Sequence, residues 1–81
     1  MDPILEKLRQ ALEYDRDGHW DEAHETVQPL EDPRAYWIHG YLHRKEGDLT
    51  NAGYWYSSAG RAMPTGSLEK EWQDLHDTLL G

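Results

Sequence analysis

Two histidines and a glutamate recur at helical spacing in the middle of the chain. His39, His43 and Glu46 occupy positions i, i+4 and i+7, so a helix through this segment would present two imidazoles and a carboxylate on one face. This set could hold a divalent metal ion if another helix supplied a further ligand. A histidine on such a face also commonly hydrogen-bonds a backbone carbonyl or a carboxylate, or it contacts a partner at the surface. The sequence leaves these three interpretations open.

The remaining candidates for catalysis form no recognisable motif. The chain has no cysteine, no His-Glu-x-x-His sequence and no glycine-rich phosphate loop. His19 and His24 lie five residues apart, on different faces of a short helix, so we expect both to be solvated or to cap a helix. We predict no enzymatic activity, no catalytic residue and no cofactor.

Acidic side chains dominate the charge of the chain. Sixteen Asp and Glu against eight Lys and Arg give a formal net charge of -8, which opposes binding to nucleic acid or to anionic lipid. The amino terminus has no basic stretch before an apolar run, and no apolar run is long enough to cross a membrane, so we expect a cytoplasmic protein. Six carboxylates near the first predicted turn have few apolar neighbours and are expected to form a solvated acidic edge: Glu13, Asp15, Asp17, Asp21, Glu22 and Glu25.

Five helices with short connections are expected to position these residues, because apolar side chains recur every three to four residues. Asp2-Pro3 and Asp32-Pro33 each join a capping carboxylate to a proline suited to the first helical position. Gly18 and Gly47 are placed to end helices in the left-handed conformation. We therefore predict a single all-α domain over residues 1–81, with antiparallel helical hairpins at 3–28 and 33–63 and a capping helix at 67–80.

The capping helix carries an apolar stripe that needs cover. Trp72, Leu75 and Leu79 are expected to lie over the second hairpin, at Trp55, Ala59 and Ala62. If this helix instead left the hairpins, its stripe would become a surface for forming a homodimer.

A short pattern recurs at the turn of each hairpin, where glycine is followed by a bulky apolar residue and then by alanine. It reads Gly18-Trp20-Ala23 in the first unit and Gly47-Leu49-Ala52 in the second. The second unit resembles a tetratricopeptide repeat, whereas the first is a looser match that is shortened by Pro29. The residues that carry this resemblance are Tyr36, Gly40, Gly47, Ala52, Tyr56, Ala59 and Pro64.

A second resemblance covers about half of the chain. Residues 39–48, with Asn51, Ala52 and 54–56, are similar to a motif of the form HxxLHRxEGD..NA.YWY in a group of small helical proteins. Both resemblances imply the fold more than a function. What tetratricopeptide proteins share is the binding of other proteins or peptides and not a reaction.

The resemblance also implies a binding surface, since the first helix of each tetratricopeptide hairpin lines a concave groove. One broad face of helix three would be basic and aromatic there, which suits an acidic peptide or a carboxylate terminus. The alternative is that its aromatic side chains pack as core against helix one. We predict a protein- or peptide-binding module, with metal binding and self-assembly as alternatives, and the candidate partner-binding residues are Arg34, Trp37, Tyr41, Arg44 and Lys45.

Overall fold

The computed structural model describes residues 2–81, and within this range the chain forms five α-helices and no strand. The all-α prediction is therefore confirmed. The longest helices have 14 residues, and none in the described part of the chain is long and apolar enough to cross a membrane. The helices are α1 (Pro3–Arg16), α2 (Trp20–Val27), α3 (Pro33–Glu46), α4 (Leu49–Ser58) and α5 (Leu68–Leu80).

Four of the helices begin at a side-chain cap. Asp2 and Asp32 each accept a hydrogen bond from the backbone N–H two residues further on, and a proline follows each of them. Asp48 and Ser67 accept from the N–H three residues on, at the starts of α4 and α5. Gly47 ends α3 with φ at 90°, a conformation that favours glycine. These local signals are why the helix starts could be read from the sequence.

Helix α4 ends earlier than the predicted segment 33–63 implied. It stops at Ser58, because Gly60 adopts a left-handed φ of 72° and the N–H of Arg61 turns back to the carbonyl oxygen of Tyr56. The residues that follow, 59–67, form an irregular connection. This connection carries the chain away from α4 and towards α1 and α3.

Helix α3 lies at the centre of the molecule. It packs on all four other helices, while α1 also packs on α2. Every residue from Trp37 to His43 is buried. Because these residues span about two helical turns, α3 is enclosed on all sides. This agrees with a sequence that is apolar or aromatic most of the way round the helix.

Helix α5 lies against α1 and α3 and not over α4, so the expectation that it covers Trp55 is wrong. The indole N–H of Trp72 donates to the carbonyl oxygen of Leu12 on α1, with a nitrogen-to-oxygen distance of 3.1 Å. Leu75 is fully buried in the same interface. The apolar stripe of α5 was read correctly from its spacing, but spacing does not show which helix the stripe meets.

A buried glutamate ties α5 to the centre of the fold. Glu71 is 3% exposed, and its carboxylate accepts hydrogen bonds from the Trp37 indole at 3.2 Å, the Tyr56 hydroxyl at 2.5 Å and the Arg44 guanidinium at 2.8 Å. Arg44 also donates to the carbonyl oxygen of Gly66, just before α5. Burial and the neighbouring carboxylate raise the pKa of Tyr56, so its hydroxyl stays protonated and remains a donor.

A second buried carboxylate ties α1 to α3. Asp15 accepts from the Tyr41 hydroxyl at 2.6 Å and from the Lys45 ammonium at 2.9 Å. Burial, together with this carboxylate, raises the pKa of Tyr41. The prediction that Asp15 belongs to a solvated acidic edge is wrong, because Asp15 lies on the side of α1 that faces α3.

The close approach of α3 and α4 depends on a missing side chain at Gly40. A Cβ atom there would lie 3.1 Å from the Tyr56 ring and 3.2 Å from its backbone nitrogen. We expect Gly40→Ala to lower the free energy of unfolding by about 1–3 kcal/mol, because the two helices would have to separate. Urea unfolding followed by circular dichroism measures the change.

Gly53→Ala is the matched control, since Gly53 is also inside a helix but its added Cβ would meet only the Met63 methyl group, at 3.8 Å. This variant should be unchanged or more stable by up to about 1 kcal/mol. Equal effects of the two substitutions would contradict the tight contact at Gly40.

Candidate functional site

On the face of α3 that was predicted to bind a partner, the two aromatic side chains are buried and the three basic side chains form ion pairs within the chain. Trp37 and Tyr41 are 6% and 2% exposed, so burial favours the core interpretation for both. Arg44 and Lys45 pair with the buried carboxylates of α5 and α1, and Arg34 pairs with the aspartates that cap α1 and α3. All five side chains therefore have partners within the fold.

Three histidine side chains converge where α2 meets α3. His24 comes from α2, and His39 and His43 come from successive turns of α3. Their candidate ligand nitrogens all lie within 4.8 Å of one another. The two nearest, Nε2 of His24 and Nε2 of His39, are 3.1 Å apart. The spacing within α3 predicted that His39 and His43 share a face, and the fold adds a third imidazole from another helix.

The expectation that His24 is solvated is wrong. His24 lies one helical turn after Trp20, and the two rings stack with their centroids 5.0 Å apart. The face of α2 that they share points at α3, where the Trp20 indole N–H donates to the carbonyl oxygen of Leu42 at 2.8 Å. The available signal was the spacing of Trp20 and His24. The five-residue spacing of His19 and His24 does not carry this signal, because it places the two histidines on different faces of α2.

Glu46 contacts His43 and lies outside the group of three nitrogens. Its Oε1 atom is 2.5 Å from Nδ1 of His43. When Nδ1–H donates to this carboxylate, the lone pair of the ring is on Nε2. The Nε2 atom is in turn 3.4 Å from the side-chain nitrogen of Asn51 on α4. A carboxylate on the outer nitrogen is the arrangement that orients metal-ligating histidines in many proteins.

Two tryptophans form the walls of the histidine cluster, by which we mean His24, His39 and His43. Trp55 on α4 stacks on His39 with ring centroids 3.9 Å apart, and Trp20 stacks on His24. His39 and His43 are buried, whereas His24 is only half-buried. The cluster is therefore enclosed on most sides and approaches the surface at His24.

Burial keeps the imidazoles of His24 and His39 uncharged at neutral pH. Burial, together with repulsion of like charge from the neighbouring rings of His24 and His43, lowers the pKa of His39 to about 4. The pKa of His24 is also lowered, mainly by burial, although Glu46 and nearby carboxylates act in the opposite direction. Neutral imidazole is the form that has a lone pair for a metal ion.

Comparison with known proteins does not assign the chain to a family. Searches against protein-family models, curated proteins and solved structures find no match to it. The resemblance to tetratricopeptide repeats therefore stays a prediction from the sequence. What can be said of function comes from the geometry of the side chains.

We expect the free energy of unfolding of the metal-free protein to fall as the pH is lowered from about 6.5 towards about 4. His39 takes up its proton near 6.5 in the unfolded chain, but the folded chain resists protonation until about 4. Across this interval the unfolded state binds more protons, so acid favours it. Urea unfolding at several pH values, in buffer containing a chelator, measures the slope.

His39→Leu should flatten this pH dependence relative to the unmodified protein, because the contribution of the carboxylates is common to both. His19→Asn is the control, since His19 is exposed at the start of α2 and asparagine is also a good helix cap. Equal slopes in His39→Leu and the unmodified protein would show that the cluster does not resist protonation.

Proposed function

We propose that the protein binds a divalent transition-metal ion, zinc being the best fit, through His24, His39 and His43. The observation that carries this proposal is the convergence of three imidazole nitrogens from two helices within 4.8 Å. Imidazole suits zinc, copper and nickel, whereas magnesium and calcium prefer oxygen ligands. The absence of thiolate and of a carboxylate in the group favours an ion that accepts nitrogen ligands alone.

The distances support tetrahedral coordination after a small adjustment. Zinc–nitrogen bonds of about 2.0–2.1 Å place two ligand nitrogens about 3.3 Å apart. The separation of 3.1 Å between His24 and His39 is close to this value. The ligand nitrogen of His43 would have to approach the other two by at most about 1.5 Å.

Metal binding would replace a proton in the cluster. At 3.1 Å, one of the two Nε2 atoms of His24 and His39 carries a hydrogen that the other accepts. Binding of an ion requires a lone pair on both atoms, so the donor ring would change to the Nδ1–H tautomer. Because both rings are neutral at pH 7, no charge has to be removed first.

This ligand set differs from the one predicted from the sequence. His24 becomes the third ligand, and Glu46 becomes the carboxylate that orients His43 through its Nδ1 atom. The roles change because α2 packs against α3 and brings His24 to the site. The spacing of residues along α3 does not reveal which helix packs there.

The competing interpretation is that the three histidines only pack and hydrogen-bond. Burying a polar ring at a helix interface costs more than burying an apolar side chain of similar size, since each ring needs a polar partner. His24 and His39 have only each other as side-chain hydrogen-bond partners among the described contacts. A cluster with this cost, whose rings could present their lone pairs to an ion after a change of tautomer, supports a binding role.

Binding of a protein or peptide stays a prediction of the sequence, as do a homodimer and a cytoplasmic location. The predicted face on α3 contacts α5, where the carboxylate of Glu71 accepts hydrogen bonds from Trp37 and Arg44. An acidic partner at this face would therefore have to displace α5. We place the metal proposal first because its residues need no such rearrangement.

Zinc titration of protein purified without a histidine tag tests the proposal. We expect calorimetry to show one ion bound per chain, and we expect His24→Gln to abolish binding or weaken it strongly. Glu46→Gln should weaken binding by about 10–100-fold, because it removes the carboxylate that orients His43.

His19→Gln is the matched control, since it removes an exposed imidazole at the start of the same helix. Its zinc affinity should equal that of the unmodified protein. If His24→Gln and His19→Gln bound zinc equally well, the ion would be held elsewhere and the proposal would be overturned.

A further inference from the structure

The histidine cluster supplies three ligands, so a tetrahedral ion bound there would have a fourth coordination position to fill. Structural zinc sites are usually closed by four protein ligands, whereas sites with three keep a position for water or another small ligand. Among residues 2–81, two groups of side chains could each hold an ion: His24, His39 and His43 form one, and His43, Glu46 and Asp48 form the other. The three-histidine group contains no carboxylate. The chain also has no cysteine.

The nearest carboxylate is turned away from the position where the ion would lie. Glu46 is held at Nδ1 of His43, whereas the lone pair that faces an ion is on Nε2, across the ring. One side chain cannot remain on Nδ1 and also ligate an ion at Nε2. Glu46 therefore orients a ligand and leaves the fourth position free.

Asn51 is the polar side chain that borders the cluster on the remaining side. Its amide nitrogen lies 3.4 Å from Nε2 of His43, and the residue is half-buried in the first turn of α4. A neutral amide is a poor zinc ligand, and without an ion its N–H donates to Nε2 of His43. Once an ion occupies that lone pair, the N–H can donate a hydrogen bond to a ligand bound on the ion. Together with half-buried His24, it marks the side from which a small molecule could enter.

Charge decides which small molecule fits. Three neutral imidazoles leave the double positive charge of the ion uncompensated, and Glu46 offsets part of it only through the ring of His43. The stacked walls of Trp20 and Trp55 keep water away from most of the cluster, which strengthens attraction between opposite charges. An anion is therefore a better fourth ligand here than a neutral molecule.

We infer that an ion held by His24, His39 and His43 keeps its fourth position open beside Asn51, and that this position takes a small, exchangeable anion such as hydroxide or azide. The inference rests on the proposed metal binding. The proposed site is therefore a metal site with an exchangeable ligand, and not a closed structural site whose four ligands all come from the protein.

Cobalt(II) is the probe, because its visible spectrum reports both binding and a change of ligand. The intact protein is loaded with cobalt and then titrated with azide. We expect a cobalt spectrum that depends on the three histidines and that shifts with azide to saturation. A bound cobalt whose spectrum ignores azide would overturn the open position while leaving metal binding intact. Failure to bind cobalt or zinc at all would overturn both.

Asn51→Asp tests where the open position lies. The new carboxylate would stand beside Nε2 of His43 and supply a fourth protein ligand, and an acidic residue suits the first turn of α4. We expect this variant to bind cobalt at least as tightly and to lose the response to azide. Asn51→Ala, which adds no ligand, should keep the response. An azide response that persisted in Asn51→Asp would overturn the placement beside Asn51.

Discussion

Enclosure of α3 by the four other helices is the constraint on which the rest of the structure depends. A helix buried on every side brings its polar atoms into the interior, and each of them then needs a partner from a neighbouring helix. The partners come in three groups around α3. Glu71 on α5 receives one set of donors, Asp15 on α1 receives a second, and His24 on α2 meets the two histidines of α3. The docking of α1, α2 and α5 is thus tied to polar contacts with α3.

These three groups differ in whether they contain nitrogen lone pairs that a metal ion could use. Glu71 and Asp15 each combine a carboxylate with a cation and with a tyrosine hydroxyl, so their charges and hydrogen bonds are matched. No buried side-chain nitrogen or oxygen in the described part of the chain lacks a hydrogen-bond partner. The histidine cluster is satisfied as well: His24 and His39 share a hydrogen between neutral rings, and His43 contacts Glu46 and Asn51. It is therefore the one of the three groups that retains lone pairs an ion could use.

The sequence predicted the features that depend on neighbours along the chain. Asp2 and Asp32 marked helix starts, and core packing was one of the two interpretations left open for the aromatic face of α3. The sequence did not predict that Asp15 is buried or that His24 joins the cluster, because both depend on which face of one helix packs against another. The place of α5 was missed for the same reason. Two of the three candidate ligands, His39 and His43, were predicted from spacing, whereas the third, His24, is revealed only by packing.

The same distinction explains the partner-binding face. A row of basic and aromatic residues on α3 looked suited to an acidic peptide, and in the fold it holds the acidic side chains of the chain's own helices. Chemical complementarity was read correctly, but the carboxylates that satisfy it lie on α1 and α5. Composition alone cannot distinguish a surface that awaits a partner from one that binds within the chain.

X-ray absorption at the zinc edge, on protein loaded with one equivalent of zinc, tests the central claim most directly. The account predicts a first shell dominated by three imidazole nitrogens at about 2.0–2.1 Å, with the outer-ring scattering that histidine ligands produce. A first shell of oxygen atoms alone would contradict it, because zinc would then be bound by surface carboxylates and not by His24, His39 and His43.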